Sequence, residues 1–126
     1  VGRLAEFLEF FHREVGISPV WLCPLQQRDP DRRWDLYVMA ADEVYVNVGF
    51  WSSVPIAPGA HDGTVNRAIE VEVARLDGRK SLYSNSFYPE AEFWSIYNGD
   101  TYGVLKGLYD PDARLLDLYS KCVAGR

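Results

Sequence analysis

Leu4, Phe7, Leu8 and Phe11 recur at i, i+3, i+4 and i+7, one apolar stripe that predicts a helix over residues 3–15, and Gly16 is placed to end it in a left-handed turn. After Ser18-Pro19, the apolar run 20–25 is too short for a helix and rich in strand formers, so it reads as a strand that Pro24 confines to an edge or an end. Residues 26–33 are polar, with Asp29-Pro30-Asp31 as turn chemistry, and residues 34–39 then alternate as a strand does. Residues 40–43 close a hairpin. Val44, Val46, Val48 and Phe50 alternate with Tyr45, Asn47, Gly49 and Trp51, the clearest period-two pattern in the chain.

Residues 52–63 carry Pro55, Pro58, Gly59 and Gly63 and form a loop. Val65, Ala68, Ile69, Val73 and Leu76 then share one helical face, which Asp62 or Thr64 caps and Gly78 ends. Residues 80–85 read as a further strand, with Leu82 on one face and Tyr83 and Asn85 on the other. Pro89, with Glu90 and Glu92 in the first turn, opens a short helix that stops at Asn98-Gly99. Tyr102, Leu105 and Leu108 add a turn or two of helix weakened by Gly103 and Gly107, and Asp110-Pro111-Asp112 starts a last helix through Leu115, Leu116, Tyr119 and Cys122.

This order predicts an α+β fold: a small, mostly antiparallel sheet of about four strands with helices packed on one face, in the manner of a ferredoxin-like cap domain. With Trp34, Leu36, Val38, Val44, Val46, Val48 and Leu82 turned to the helices, the period of two sends Tyr37, Met39, Tyr45, Asn47, Trp51, Tyr83 and Asn85 to an open face. An aromatic, amide-rich face of this kind marks a contact surface for another domain or a flat ligand.

The 126 residues suffice for one domain around one core, and no apolar run approaches the ~18 residues a spanning helix needs. A formal charge of −5, with the basic residues scattered, argues against a nucleic-acid partner and against base stacking on the aromatic face. Starting at Val1 with a single methionine, Met39, the chain reads as an excised domain or processed product with no signal peptide, and a cytoplasmic location is expected. Cys23 and Cys122 have no CxxC spacing and read as reduced thiols; His12 and His61 lack ligand spacing, and Asp110-Pro111-Asp112 lacks the following oxygen ligands of a calcium loop, so no metal site is expected. Without GxSxG, P-loop or GxGxxG, the chain holds no self-contained nucleophile or phosphate cradle and is expected to be inactive alone. Tyr83 and Tyr88 are either core aromatics or phenols able to donate a proton, and Lys80 beside Arg79 is either a strand-end charge or a cation facing an anionic cofactor.

Trp21-Leu22-Cys23-Pro24, then Tyr45-Val46-Asn47-Val48-Gly49 with Pro55, Leu82-Tyr83 with Tyr88, Glu92-Phe93-Trp94 with Tyr97, Tyr102 and Leu105, and finally Leu118-Tyr119-Ser120-Lys121 resemble, in that order, the C-terminal part of the Diminuto-type delta-24 sterol reductases. These are FAD-linked oxidoreductases of the vanillyl-alcohol-oxidase-like group. The resemblance runs from about Ile17 to Val123. It implies a C-terminal cap or substrate domain, whose partner is the FAD-binding domain of the same protein and whose reaction is hydride exchange between flavin N5 and a carbon of a small-molecule substrate, a sterol-like alkene or an alcohol. It further implies that Tyr83 and Asn85 are the catalytic pair facing flavin and substrate, that Lys80 adjoins the cofactor, and that Tyr37, Tyr45, Asn47, Trp51 and Tyr88 wall the substrate pocket. The chain departs from the family at Asn85, where an acidic residue is frequent; an amide can orient or polarise but cannot ionise to donate a proton. An independent ligand-binding or protein-interaction module using the aromatic face is the alternative.

Overall fold

The structure is a computed structural model and describes residues 1–124. Helix α1 (Leu4–Glu14) places Phe7 and Phe11 inward as the stripe predicts, with Glu6 in its first turn and Arg13 in its last, each favourable to the helix dipole. Gly16, at φ +68°, donates its N–H to the Phe11 carbonyl at 3.0 Å and turns the chain out of the helix.

Two strands follow, β1 (Trp21–Gln26) and β2 (Val44–Gly49), antiparallel in the register Trp21↔Gly49 through Gln26↔Val44. Residues directly opposite share a face, so Leu22 and Val48 lie together and Cys23 lies with Asn47. The Val48 face packs on a cluster of Phe7, Phe11 and Ile69 that also takes Val20, Val65, Val73 and Leu76. Val44, at the far end of the same face, is exposed, because the helices cover only one end of the ribbon.

Helix α2 (Thr64–Arg75) lies against α1. Arg75 joins Glu6 at 2.5 Å and Glu72 at 2.6 Å across that contact, an exposed network that adds little to stability but fixes alignment. Beyond it, α3 (Glu90–Ile96), α4 (Gly99–Tyr109) and a π-helical turn (Ser120–Ala124) surround a second cluster of Tyr88, Phe93, Tyr97 and Val123, flanked by Leu82, Trp94, Leu118 and Tyr119. The aromatic C-terminal third is therefore largely scaffold.

The α+β class holds, but the described residues carry two strands, not about four. Residues 34–39 turn back on themselves, Tyr37 N–H to Trp34 C=O at 2.9 Å, and dock through Asn98 Nδ2 to Asp35 C=O at 3.1 Å. Residues 80–85 are turn and coil. Alternation marks which side chains seek the core; without a neighbouring edge to receive N–H and C=O groups it does not make a strand.

Three ends also differ from expectation. Neither Asp62 nor Thr64 caps α2: Gly63 at φ +83° is the cap residue, and the Thr64 hydroxyl donates to the His61 carbonyl at 2.7 Å. Gly103 and Gly107 do not shorten α4, which runs eleven residues from an Asn98 cap. Asp110 starts no helix; its carboxylate accepts the N–H groups of Arg114 at 2.9 Å and Leu115 at 3.0 Å and pairs with Lys106, closing a capping loop that leaves Leu115 and Leu116 exposed.

Candidate functional site

Lys80, Tyr83 and Asn85 are brought together on one short loop between α2 and α3. Leu82 packs inward on the second cluster, while Tyr83 is 85% exposed and Asn85 is also exposed. The in-and-out partition expected of a strand is thus kept by a turn, because burying Leu82 drives its neighbour outward. Tyr37 stands at the root of this loop, its phenol donating to the Arg79 carbonyl at 3.3 Å, and burial raises its pKa above the ordinary phenol value.

Lys80 does not extend into solvent. Its ammonium is largely buried and donates to Glu70 Oε1 at 2.9 Å and to the Asn85 carbonyl. Glu70 is 0% exposed, and the same oxygen accepts the Phe87 N–H at 2.9 Å. Arg67 lies 3.5 Å from the other Glu70 oxygen and 2.5 Å from Glu92, with its guanidinium 5.4 Å from the Tyr88 ring centroid. Burial works against the Arg67 charge, and the Glu92 and Glu70 carboxylates more than offset it, so its pKa is raised. This polar junction was invisible in the sequence: Glu70 follows Ile69 on an amphipathic helix and reads there as a solvated charge. The one available signal is the Arg67/Glu70 pair at i, i+3.

Tyr88 is buried among Phe93, Tyr97 and Val123 at 2% exposure, which makes it a core residue bordering the junction. Burial, and then the Glu70 charge, push its phenol up to about 12; burial raises the Tyr97 phenol further, and Tyr97 donates to the Lys80 carbonyl at 2.7 Å. Both phenols keep their protons at neutral pH, and Tyr97 acts as a fixed donor. A phenol whose folded pKa is raised stabilises the fold below its unfolded value near 10, and that contribution is lost as pH rises through the folded value. In an alkaline titration, part of the tyrosinate absorbance is expected to lag beyond pH 10 and to arrive together with unfolding toward pH 12. Ionisation of all eight tyrosines near pH 10 with the fold intact would contradict the burial of this pair.

The remaining pocket candidates lie elsewhere. Tyr45 and Asn47 occupy the ribbon face opposite Val48, where the Tyr45 oxygen accepts the Ala40 N–H at 2.9 Å, and Trp51 follows β2 at 87% exposure. Among the described residues no hydrogen bond or ring contact joins Tyr45, Asn47 or Trp51 to the 80–85 loop. A cleft of about 530 Å³ separates the 34–39 segment from the α3/α4 junction, lined by Asp35, Val38, Arg79, Trp94 and Asn98. The described residues contain no cluster of three potential metal ligands and no helix long and apolar enough to cross a membrane. Cys23 and Cys122 are free thiols, each partly buried.

No protein-family profile matches the chain, and no solved structure does. Curated relatives do. The Delta(24)-sterol reductase homolog dhcr-24 of Caenorhabditis elegans is 28% identical over the whole of this chain, and the Delta(24)-sterol reductases of Arabidopsis thaliana and Homo sapiens are 26% and 24% identical over 98% of it. The chain spans about a quarter of the length of these relatives, 24–25%, in their C-terminal portion. The ordered residues that carry the resemblance, from Trp21 to Lys121, therefore belong to a similarity that covers essentially the entire chain: it is related in sequence to the C-terminal portion of Delta(24)-sterol reductases.

Proposed function

We propose that this chain is the C-terminal cap, or substrate-side, domain of an FAD-dependent oxidoreductase that acts on a sterol-like alkene or an alcohol. The observation that carries the reading is the similarity, over essentially the whole of this chain, to the C-terminal quarter of Delta(24)-sterol reductases, combined with a preformed loop that displays Tyr83 and Asn85 to solvent. The flavin, held by another domain of the same protein, supplies hydride exchange at N5. The residues present here fit a contact with one side of such a cofactor but not the binding of a dinucleotide. No glycine-rich turn follows a strand to cradle phosphates, and the Lys80 ammonium is engaged by Glu70 and Asn85. On this reading Lys80, held by Glu70 and the Asn85 carbonyl, keeps the loop's shape, and contact with the ring system falls to Tyr83 and Asn85.

The Tyr83 phenol is a hydroxyl donor at the loop tip, placed to give or relay a proton to a substrate carbon, and the Asn85 amide orients or polarises without ionising. Tyr37, at the root of the same loop, walls the near side of the pocket. Tyr45, Asn47 and Trp51 form a separate apolar-and-amide surface that either lines the far side of the pocket or receives the flavin domain.

The isolated 126-residue chain is expected to be colourless and without turnover. In the complete flavoprotein, Tyr83→Phe is expected to lower kcat by about 10²-fold, the low end for loss of a general acid, with KM little changed. Stoichiometric flavin retained by the isolated chain would overturn the assignment. The alternative, an independent binding module, draws on the exposed Trp21, Trp34 and Trp51 side chains; saturable binding of an apolar ligand by the isolated chain, with no flavin domain encoded beside it, would favour that reading.

A further inference from the structure

The 80–85 loop owes its shape to side chains. Lys80 stands at its first position and reaches across it, so that one ammonium closes the loop on the Asn85 carbonyl and anchors it to Glu70. Glu70 in turn fixes the chain just beyond the loop through the Phe87 N–H, and Tyr97 fixes the near end through the Lys80 carbonyl. Ser86 N–H donates to the Cys122 carbonyl at 3.0 Å, which ties the same exit to the π-helical turn. Leu82 holds the loop's underside on the second cluster, and Tyr83 is the large side chain left outside.

We infer that Glu70 is a positioning residue: through Lys80 and the Phe87 amide, it holds the 80–85 loop in the conformation that presents Tyr83. The inference rests on the reading of Tyr83 as the side chain facing the reacting substrate. Glu70 itself cannot touch substrate, being fully buried with its oxygens occupied by Lys80, Phe87 and Arg67. Stability alone does not call for a carboxylate here, because a buried ion pair is commonly no better than packed hydrophobic side chains of similar volume. What the charged group adds is direction. A carboxylate accepts from three donors, and two of them, the Lys80 ammonium and the Phe87 N–H, belong to or border the loop that carries Tyr83, while Arg67 closes from one turn away on α2 itself. A loop released by a fraction of an ångström at its root displaces a phenol at its tip by more, and misplacement of about 1 Å can cost 10²-fold in rate.

Glu70→Gln keeps the volume and, with its oxygen in the Oε1 place, can still accept from Phe87, but it removes the negative charge that pairs with the Lys80 ammonium and sets an NH2 donor against Arg67. In the complete flavoprotein this variant is expected to lose about tenfold in kcat with a smaller change in KM, and in a Tyr83→Phe background to lose less than about twofold more. The double variant Glu70→Gln/Lys80→Met removes the unpaired charge as well. Its thermal midpoint is expected to recover toward the parent while kcat stays about tenfold down. Recovery of kcat together with stability would show a merely structural role and overturn the inference. So would an undiminished Glu70→Gln effect in the Tyr83→Phe background. A separate arm uses the 126-residue chain itself: amide exchange at residues 81–87 in Glu70→Gln should speed up about tenfold or more while α1 amides are unchanged. Unchanged exchange there refutes the clamp. If exchange rises as expected but Tyr83→Phe and Tyr83→Ala leave turnover intact, the clamp stands and the role given to Tyr83 is what fails.

Discussion

Phe93→Ala is expected to destabilise the chain by about 3–5 kcal/mol, the range for emptying a fully buried aromatic site. Phe93 is 0% exposed and sits among four rings, with centroids 4.7 Å from Tyr97, 5.0 Å from Trp94, 5.3 Å from Tyr119 and 6.4 Å from Tyr88. Those neighbours come from α3 and the residue that ends it, from the segment before it and from the chain that enters the π-helical turn, so none can close the hole without moving the others. A domain of this size is stable by roughly 5–15 kcal/mol, so one truncation removes a large fraction of the total. Urea unfolding followed by tryptophan fluorescence measures it, since Trp94 reports from the same cluster. A shift below about 1 kcal/mol would mean that the cluster is not the packed core described here, whereas Phe93→Leu should cost markedly less than the alanine variant.

The expected loss bears on function because the second cluster is the floor of the 80–85 loop. Leu82 packs on it from above, and Tyr97 reaches from it to the Lys80 carbonyl. Tyr83 is therefore displayed by an aromatic foundation and a polar clamp, where the sequence pattern had implied a sheet. That arrangement supports the cap-domain role proposed above: a side chain that meets a ligand held by another domain gains from being rigid before the two meet, since ordering a loop on contact costs free energy.

How much of this was legible depends on whether the determining partners are near in sequence. Helix α1 and helix α2 could be read because their apolar faces repeat within each segment, and β1 and β2 because each carries strand-forming residues that find the other's edge. Residues 34–39 and 80–85 carry the same alternation but meet a helix junction and a buried carboxylate instead of a strand edge. The sorting of Leu82 inward and Tyr83 outward survived, because hydrophobic burial decides it whatever the backbone does. Glu70 was not legible, because its burial depends on Lys80 ten positions on, on the Phe87 amide and on Arg67 closing from one turn away. Asp110 misled in the same way: its carboxylate reads as a helix cap, yet the amides it accepts belong to a loop folded back on Lys106.

Gly63→Ala is the second large effect expected, about 2–5 kcal/mol, from two separable causes. The residue lies at φ +83°, where an L side chain costs roughly 1–2 kcal/mol. A methyl group built there would also stand 1.8 Å from Phe87 Cε1 and 2.0 Å from Cδ1, so either the ring or the start of α2 must shift, and overpacking of this kind costs about 1–3 kcal/mol more. The two contributions come apart in a double-mutant cycle with Phe87→Ala, which removes the ring. On that background Gly63→Ala should retain only the backbone cost, about 1–2 kcal/mol. An unchanged cost would assign the whole effect to the left-handed backbone and remove the close approach as its cause. The position matters beyond stability because Gly63 seats the N-terminus of α2 against Phe87, the residue whose amide Glu70 holds. A shift there propagates along one helix to Glu70 and from Glu70 to the loop. Faster amide exchange at residues 81–87 in Gly63→Ala, reversed in part on the Phe87→Ala background, would connect the glycine to the display of Tyr83 through the same rigid helix.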